Sequence, residues 1–420
     1  MYRNGAQRYE PVVGIVRRFV GERRSNLGEA RVLFGSLCVA SADAALINAT
    51  AAHALDYDDV ALGGHPSTVL VPALLAEGER LGASGADAMR AYLVGYEVWA
   101  ELLSREPDAY HLKGWHPTAV LGTVGTAAAV AHLNRLSPLA CRNALALAAS
   151  MAGGLVANFG TMTKPLHAGR AAACAIEAVR LAALGLTAAP DVFEHHAGFL
   201  AALSPKGRAR RDGAAPELGR RLHILEAGLS IKKYPMCYAT HRVIDAVLDL
   251  TTAHDLKAGD VRQVNASIGV AQASMLRNHN PTTGLEAKFS LEFAVAAALV
   301  ARKVGLAQLT DAFVGQAAVR EAMTKVNVAT VDTVCPIEPV FALHDGVVIE
   351  LNDGTRLDAG PIRFARGNAM LPLQEADLEA KFLDCASNSG ELDAAALYQQ
   401  LANLGEEQSL AALGRIGAMA

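Results

Sequence analysis

What this chain lacks narrows its chemistry before any motif is read. Its 420 residues hold only six cysteines (Cys38, Cys141, Cys174, Cys237, Cys335 and Cys385), and none lie in a CxxC or paired Cys/His spacing. Such spacing is what a zinc ribbon or an iron–sulfur centre needs, so neither is expected. Scattered thiols suit a reducing compartment, and no charged-then-apolar signal segment opens the chain, which reads as cytoplasmic. The formal charge of −4 offers no general attraction for nucleic acid or anionic lipid. The longest apolar stretches, Ala119 to Leu133 and Ala144 to Ala157, are Ala/Gly-rich and interrupted by polar residues. They read as buried helices rather than membrane spans. There is no serine elbow, phosphate loop or dinucleotide fingerprint, and no repeat or low-complexity segment.

What is present is a hydrophobic content of 52% in a chain long enough for more than one core. Single cores seldom grow past about 250–300 residues, so two domains are expected. From Ala42 to Leu186 the pattern predicts helix after helix, at Ala45–Leu55, Val69–Leu81, Gly85–Leu103, Thr118–Leu133, Pro138–Ala157 and Ala168–Leu184. Ser84 and Ser137 are placed to cap two of them, with Pro138 in a first turn. Near Ser230 the character changes. Arg262–Val270 and Val347–Leu357 concentrate β-branched residues, and Asp353-Gly354 marks a hairpin. Phe289–Lys303, Leu309–Val314 and Ala317–Lys325 are helical candidates between the strands, which suggests a small sheet with helices on one face. The polar run Lys206–Arg221 reads as a solvated loop, and after Asn368 the pattern is helical again.

Four phrases marked by Gly or Pro carry the candidate chemistry. In the first, His53-Ala54-Leu55-Asp56-Tyr57-Asp58-Asp59 precedes Gly63-Gly64-His65-Pro66-Ser67. A helical start would put His53 and Asp56 on one face, and the Gly-Gly turn would return His65 toward them. Asp and His together form an acid–base unit, because a carboxylate orients an imidazole and tunes its proton affinity. The acidic triplet also has the look of a cation site, but magnesium would want substrate phosphates, so no metal is assigned. The second phrase, Lys113-Gly114-Trp115-His116-Pro117-Thr118, sets an imidazole at a helix start. The third, Gly160 to Arg170, brings Lys164 and His167 to the beginning of another helix, where outward N–H groups would make an anion site. The fourth, Ile231-Lys232-Lys233-Tyr234-Pro235 through His241, lies at the change of domain character. Taken singly, each has a plain alternative as a solvated lysine or a capping histidine. Together they suit a small carboxylate substrate, held by lysines while Asp and His move a proton on the adjacent carbon.

In this order, HALDYDD with HPS, GWHPT, TKPLHAGRAA, KKYP with a trailing TH, and AKFSLEF at Ala287–Phe293 resemble the MmgE/PrpD family, from about Ala44 to Phe382. That family includes 2-methylcitrate dehydratase, cis-aconitate decarboxylase and iminodisuccinate epimerase. The resemblance implies a mainly α fold with an α+β lid: a helical domain from residues 1–229 and 368–420, an α+β domain from 230–367, and a cleft between them. It further implies a homodimer using no metal or organic cofactor. By motif, Asp56 and His65 are implied as the acid–base pair, His116 as a second imidazole, and Lys164 and Lys232 as carboxylate-binding or proton-handling lysines. Lys232 stays ambiguous with Lys233, and His53 and His167 join the substrate-binding set. Three positions depart from the decarboxylase-like pattern: Val60 for Thr, Cys237 for His and Phe293 for Tyr. Family members usually carry further helices ahead of the segment resembling Pro11–Ala44, so this chain is expected to begin late. The expected activity is a lyase that removes water from a hydroxylated di- or tricarboxylate. An iminodisuccinate-type epimerase, a decarboxylase and a non-catalytic dimer are the alternatives, in that order.

Overall fold

The computed structural model describes residues 11–22, 28–215, 217–386 and 393–415. The expectation about the chain's beginning concerns what precedes Pro11 and falls outside them. The chain is mainly α with an α+β part. It divides into two units, one from the described residues within 1–54, 59–228 and 374–420, the other from 55–58 and 229–373.

The first unit is built from α1 (Pro11–Glu22), α2 (Ser41–Ala54), α3 (Pro66–Leu81), α4 (Gly85–Ser104), α5 (Pro117–Leu133), α6 (Pro138–Met151) and α7 (Thr163–Ala183), with Glu375–Ala386 and Ala394–Ala402 from the tail. Its centre is α5, in which Ala119 through Ala131 are buried on every side. A helix that is apolar all round can only be stable inside a core. Small residues set how closely the neighbouring helices come. A Cβ on Gly169 of α7 would lie 2.2 Å from Thr50 Oγ1 and 2.5 Å from the Leu46 carbonyl of α2, so only glycine allows that approach. Ser84 caps α4 in a reciprocal box with Asp87, and the Ser137 hydroxyl accepts from Ala140 N–H at the start of α6, as their positions foretold.

Two helices differ from the sequence reading. α6 stops at Met151 because Gly153 and Gly154 break it, and a short 3-10 turn at Val156–Asn158 follows. α7 starts earlier, at Thr163. This unit is also not purely helical: Ala30–Arg31 pairs antiparallel with Cys38–Val39. One charged network is buried in it. Glu77, fully buried, accepts from Ser41 Oγ at 2.5 Å, from Arg80 at 2.7 Å, and from Arg180 and Asn134 at 3.2 Å each. Burial would raise its carboxyl, but these partners reverse that and hold it below the ordinary range.

The second unit carries a four-stranded sheet ordered Val326–Val331, Val261–Gly269, Gly346–Leu351, Arg356–Asp358. The first pair is parallel (Val264 opposite Val326) and the other two are antiparallel (Ala266 opposite Val347, Ile349 opposite Leu357). The Asp353-Gly354 hairpin is there, with Gly354 at φ +88°. Strand Val326–Val331 was not foreseen, because its exposed alternate residues make it a weak signal beside the helix that feeds it. Helices His241–Ala253 and Leu291–Ala301 pack with the sheet, and Ala317–Thr324 packs on Leu291–Ala301.

Candidate active site

The candidate side chains fall into two clusters, one in each unit. In the first unit the histidines converge. α2 presents His53 in its last turn, only 1% exposed. The chain then turns through Leu62 (φ +52°) and Gly63 (φ +70°) to deliver His65. Gly64 has no room for a side chain: a Cβ there would come within 2.9 Å of Thr118 N, Thr118 Oγ1 and the Trp99 ring. With the backbone held, His65 N–H donates to Thr118 Oγ1 at 3.1 Å and its carbonyl accepts from Thr68 Oγ1 at 2.8 Å. The His65 ring centroid lies 4.5 Å from that of His53. Its Nδ1 sits 2.8 Å from the Asp59 carbonyl oxygen. A carbonyl can only accept, so neutral His65 carries its proton on Nδ1 and keeps the lone pair on Nε2.

His116 enters from the start of α5, behind Gly114 at φ +88° and with its N–H on the Gly154 carbonyl at 3.0 Å. It is 1% exposed, and its ring centroid lies 6.0 Å from that of the stacked His53 and, edge-on, 6.2 Å from that of His65 and 4.8 Å from that of Phe159. Its Nδ1 lies 3.2 Å from His167 Nδ1 of α7. Gly154 makes room for that pair, since a Cβ there would press within 3.1 Å of the His167 ring. Lys164, also on α7, is buried and places Nζ 5.3 Å from the Phe159 ring centroid. Burial, reinforced by the Lys164 charge, pushes His116 well below the ordinary imidazole range and His167 down to about 4. Both are therefore neutral at neutral pH. His111, which the motif reading passed over, joins from the 3-10 turn Tyr110–Lys113 and is lowered to about 4 by burial and then by His65 and Lys164. Its only sequence signal is its place five residues ahead of His116.

The anion-site expectation at the α7 N-terminus needs correcting. Thr163 N–H is taken by Thr161 Oγ1 at 3.2 Å and Lys164 N–H by the Thr161 carbonyl at 3.2 Å, so these two donors serve the turn. What α7 contributes is the Lys164 side chain itself.

In the second unit, Lys232 is fully buried, and its Nζ lies 3.1 Å from both Asp56 Oδ1 and Asp58 Oδ1 and donates to the Asp56 carbonyl at 3.1 Å. Burial would lower the ammonium, but the Asp56 and Asp58 charges overcome it and hold it above the ordinary lysine range. Lys233 is half-buried and uses its carbonyl to accept from Tyr57 Oη at 3.2 Å, so Lys232 is the lysine committed to the carboxylates. Asp56 does not extend the face of α2 as the spacing suggested. The helix ends at Ala54, and Asp56 takes φ +53°, a left-handed conformation that Asp tolerates better than most residues. Of the three departures, Cys237 is buried with its N–H on the Lys288 carbonyl, and Val60 is half-buried. Phe293 is wholly inside the second unit's core, edge-on to Phe313 at 6.3 Å.

For a metal, His53, His65 and His116 each offer a ring nitrogen, and these lie within 4.8 Å of one another. No helix among the described residues is long and apolar enough to cross a membrane.

His116 and His167, both neutral, lie beside the buried Lys164, an arrangement that sets proton-accepting imidazoles next to a fixed cation. The chain belongs to the MmgE/PrpD family: the model of that family's N-terminal domain matches residues 4–212 and that of its C-terminal domain residues 234–403. It is 32% identical to the cis-aconitate decarboxylase of Homo sapiens, over 82% of this chain and 72% of the relative. The cis-aconitate decarboxylase of Mus musculus is similarly matched, at 32% over 82% and 71%. That of Aspergillus terreus is 26% identical over 68% of this chain and 62% of the relative.

Proposed function

We propose that this chain is a lyase acting on a small hydroxylated di- or tricarboxylate, by proton abstraction beside a carboxylate and loss of water. The observation that carries the reading is the His65 tautomer. With Nδ1 on the Asp59 carbonyl, Nε2 is the ring atom that carries the lone pair and would take a proton from carbon. Lys164, buried close by, supplies the charge that holds a substrate carboxylate and favours the enolate-like state. His116, kept neutral by burial, is suited to a hydrogen-bonding or proton-accepting role rather than to that of a standing acid. As water leaves, the C–O bond pair departs with the hydroxyl, which needs a proton. The imidazolium formed on His65 in the first step is the candidate source, returning at Nε2 the proton it took from carbon.

Decarboxylation is the second reading, favoured by the names of the relatives. Against it stand the three departures, Val60, Cys237 and Phe293, each of which lacks the polar group of the decarboxylase-like pattern. Epimerisation of an iminodisuccinate-like acid would share the first proton abstraction. Lyase chemistry in either form fits a cytoplasmic homodimer, whose two-fold assembly is part of the proposal.

The test is proton NMR of the purified protein in deuterated water with 2-methylcitrate, citrate, cis-aconitate and iminodisuccinate. New alkene signals from a hydroxy acid support dehydration. Release of CO2 from cis-aconitate moves the assignment to decarboxylation, and deuterium exchange without an alkene moves it to epimerisation. No change in any of the four overturns the proposal.

A further inference from the structure

We propose that His53, His65 and His116 form a three-nitrogen site for a divalent transition metal of the zinc type, and that its occupation silences the histidine cluster. The argument starts from convergence. Three imidazoles, delivered by the end of α2, the Gly63-Gly64 turn and the start of α5, bring one ring nitrogen each to within 4.8 Å of the others. In tetrahedral zinc, with Zn–N near 2.0–2.1 Å, ligand nitrogens sit about 3.4 Å apart, so modest ring rotations close this trio onto an ion.

The remaining ring atoms are already arranged as a metal site's supports are. His65 Nδ1 is held by the Asp59 carbonyl, the usual kind of partner for the second nitrogen of a ligating histidine. His116 Nδ1 faces His167 Nδ1, so its ligating atom is Nε2, which is buried and has no hydrogen-bond partner among the described residues. A buried imidazole nitrogen left in that condition costs free energy, and a metal ion would recover it. Three protein nitrogens leave a fourth position open, and a substrate carboxylate or water could fill it. The charge that opposes the site is Lys164, whose ammonium acts on His116. That opposition favours a bound anion as the fourth ligand.

Metal binding does not depend on the proposed lyase activity; only its inhibitory consequence rests on that reading. Cobalt(II) added to the metal-free protein should give intense visible ligand-field bands saturating at one equivalent per chain, and zinc should displace them. Isothermal titration with zinc should show the same stoichiometry. His53→Ala, His65→Ala and His116→Ala should each weaken zinc binding by about 100-fold or more. A double substitution of the exposed pair, His195→Ala with His196→Ala, should leave it unchanged. Should an alanine variant prove unfolded by circular dichroism, the cobalt spectrum of the unmutated protein still decides. Absence of those bands, or bands and zinc affinity that survive each of the three folded single variants, overturns the site. If the bands appear but saturating zinc leaves turnover intact, and chelation changes nothing, the inhibitory half is overturned while the lyase reading stands. If no substrate of the panel turns over, the lyase reading falls and the cobalt result remains interpretable.

Discussion

At the scale of single residues, His65 and Lys164 should separate in kinetics. His65→Gln removes the basic Nε2 but keeps the backbone contacts to Thr118 and Thr68, so kcat should fall by about 10²–10⁴-fold with little change in Tm. Lys164→Ala should chiefly raise KM, measured on the same substrate, because it deletes a binding charge. Asp56 behaves differently from what its motif suggests. The sequence alone predicts that Asp56→Asn abolishes turnover without touching stability, but its carboxylate is paired with a fully buried ammonium. Asp56→Asn should therefore cost stability as well, though Asp58 still holds Lys232. Lys232→Met should cost more, about 3–5 kcal/mol, since it leaves two buried carboxylates facing each other without a cation. Urea titration of the two variants gives the order, and equal stabilities would show that the ion pair is not intact in solution.

Among elements, the turns do more to set the site than the helices. Gly64→Ala would drive a methyl into the Thr118 backbone and the Trp99 ring, so it should destabilise the protein by about 1–3 kcal/mol and reduce activity by displacing His65. Gly153→Ala meets nothing within 4 Å and should be close to neutral by both thermal melting and turnover. The helices α2 to α5, the hairpin at Gly354 and the Ser84 cap were legible from periodicity and turn chemistry, because each is decided by residues close in sequence. What was not legible depends on distant partners. Strand Val326–Val331 exists because Val261–Gly269 offers it a parallel ladder, and the end of α6 was hidden by apolar residues that continue past the glycine pair. The histidines were legible as phrases. That His53, His65 and His116 face one another, and His116 faces His167, was not, because the two rings that hydrogen-bond, His116 and His167, lie 51 residues apart in the chain.

For the whole molecule, acidity should act through the second unit's core. Asp345 is buried, with Gln272 on one oxygen and Arg242 at 3.4 Å from the other, and burial outweighs the arginine to push its carboxyl up to about 6. A folded pKa above the unfolded one means that the folded state holds the proton more tightly. The stabilisation is complete below the unfolded value near 4 and disappears as pH rises through about 6, a change of about 3 kcal/mol. Urea unfolding of the second unit's signal across that window should show this fall, and Asp345→Asn should flatten it. A slope that survives the substitution would assign the effect to another group.

The Asp56–Lys232 pair also has a history in time. Its partners are 176 residues apart in the chain. At a synthesis rate of about 5–20 residues per second, the two acidic side chains wait roughly 9–35 seconds for their lysine to be made. Until then the segment 55–58 belongs to a unit whose remainder does not yet exist, and its carboxylates stay in water. The second unit thus closes late, on a short piece of chain laid down long before it.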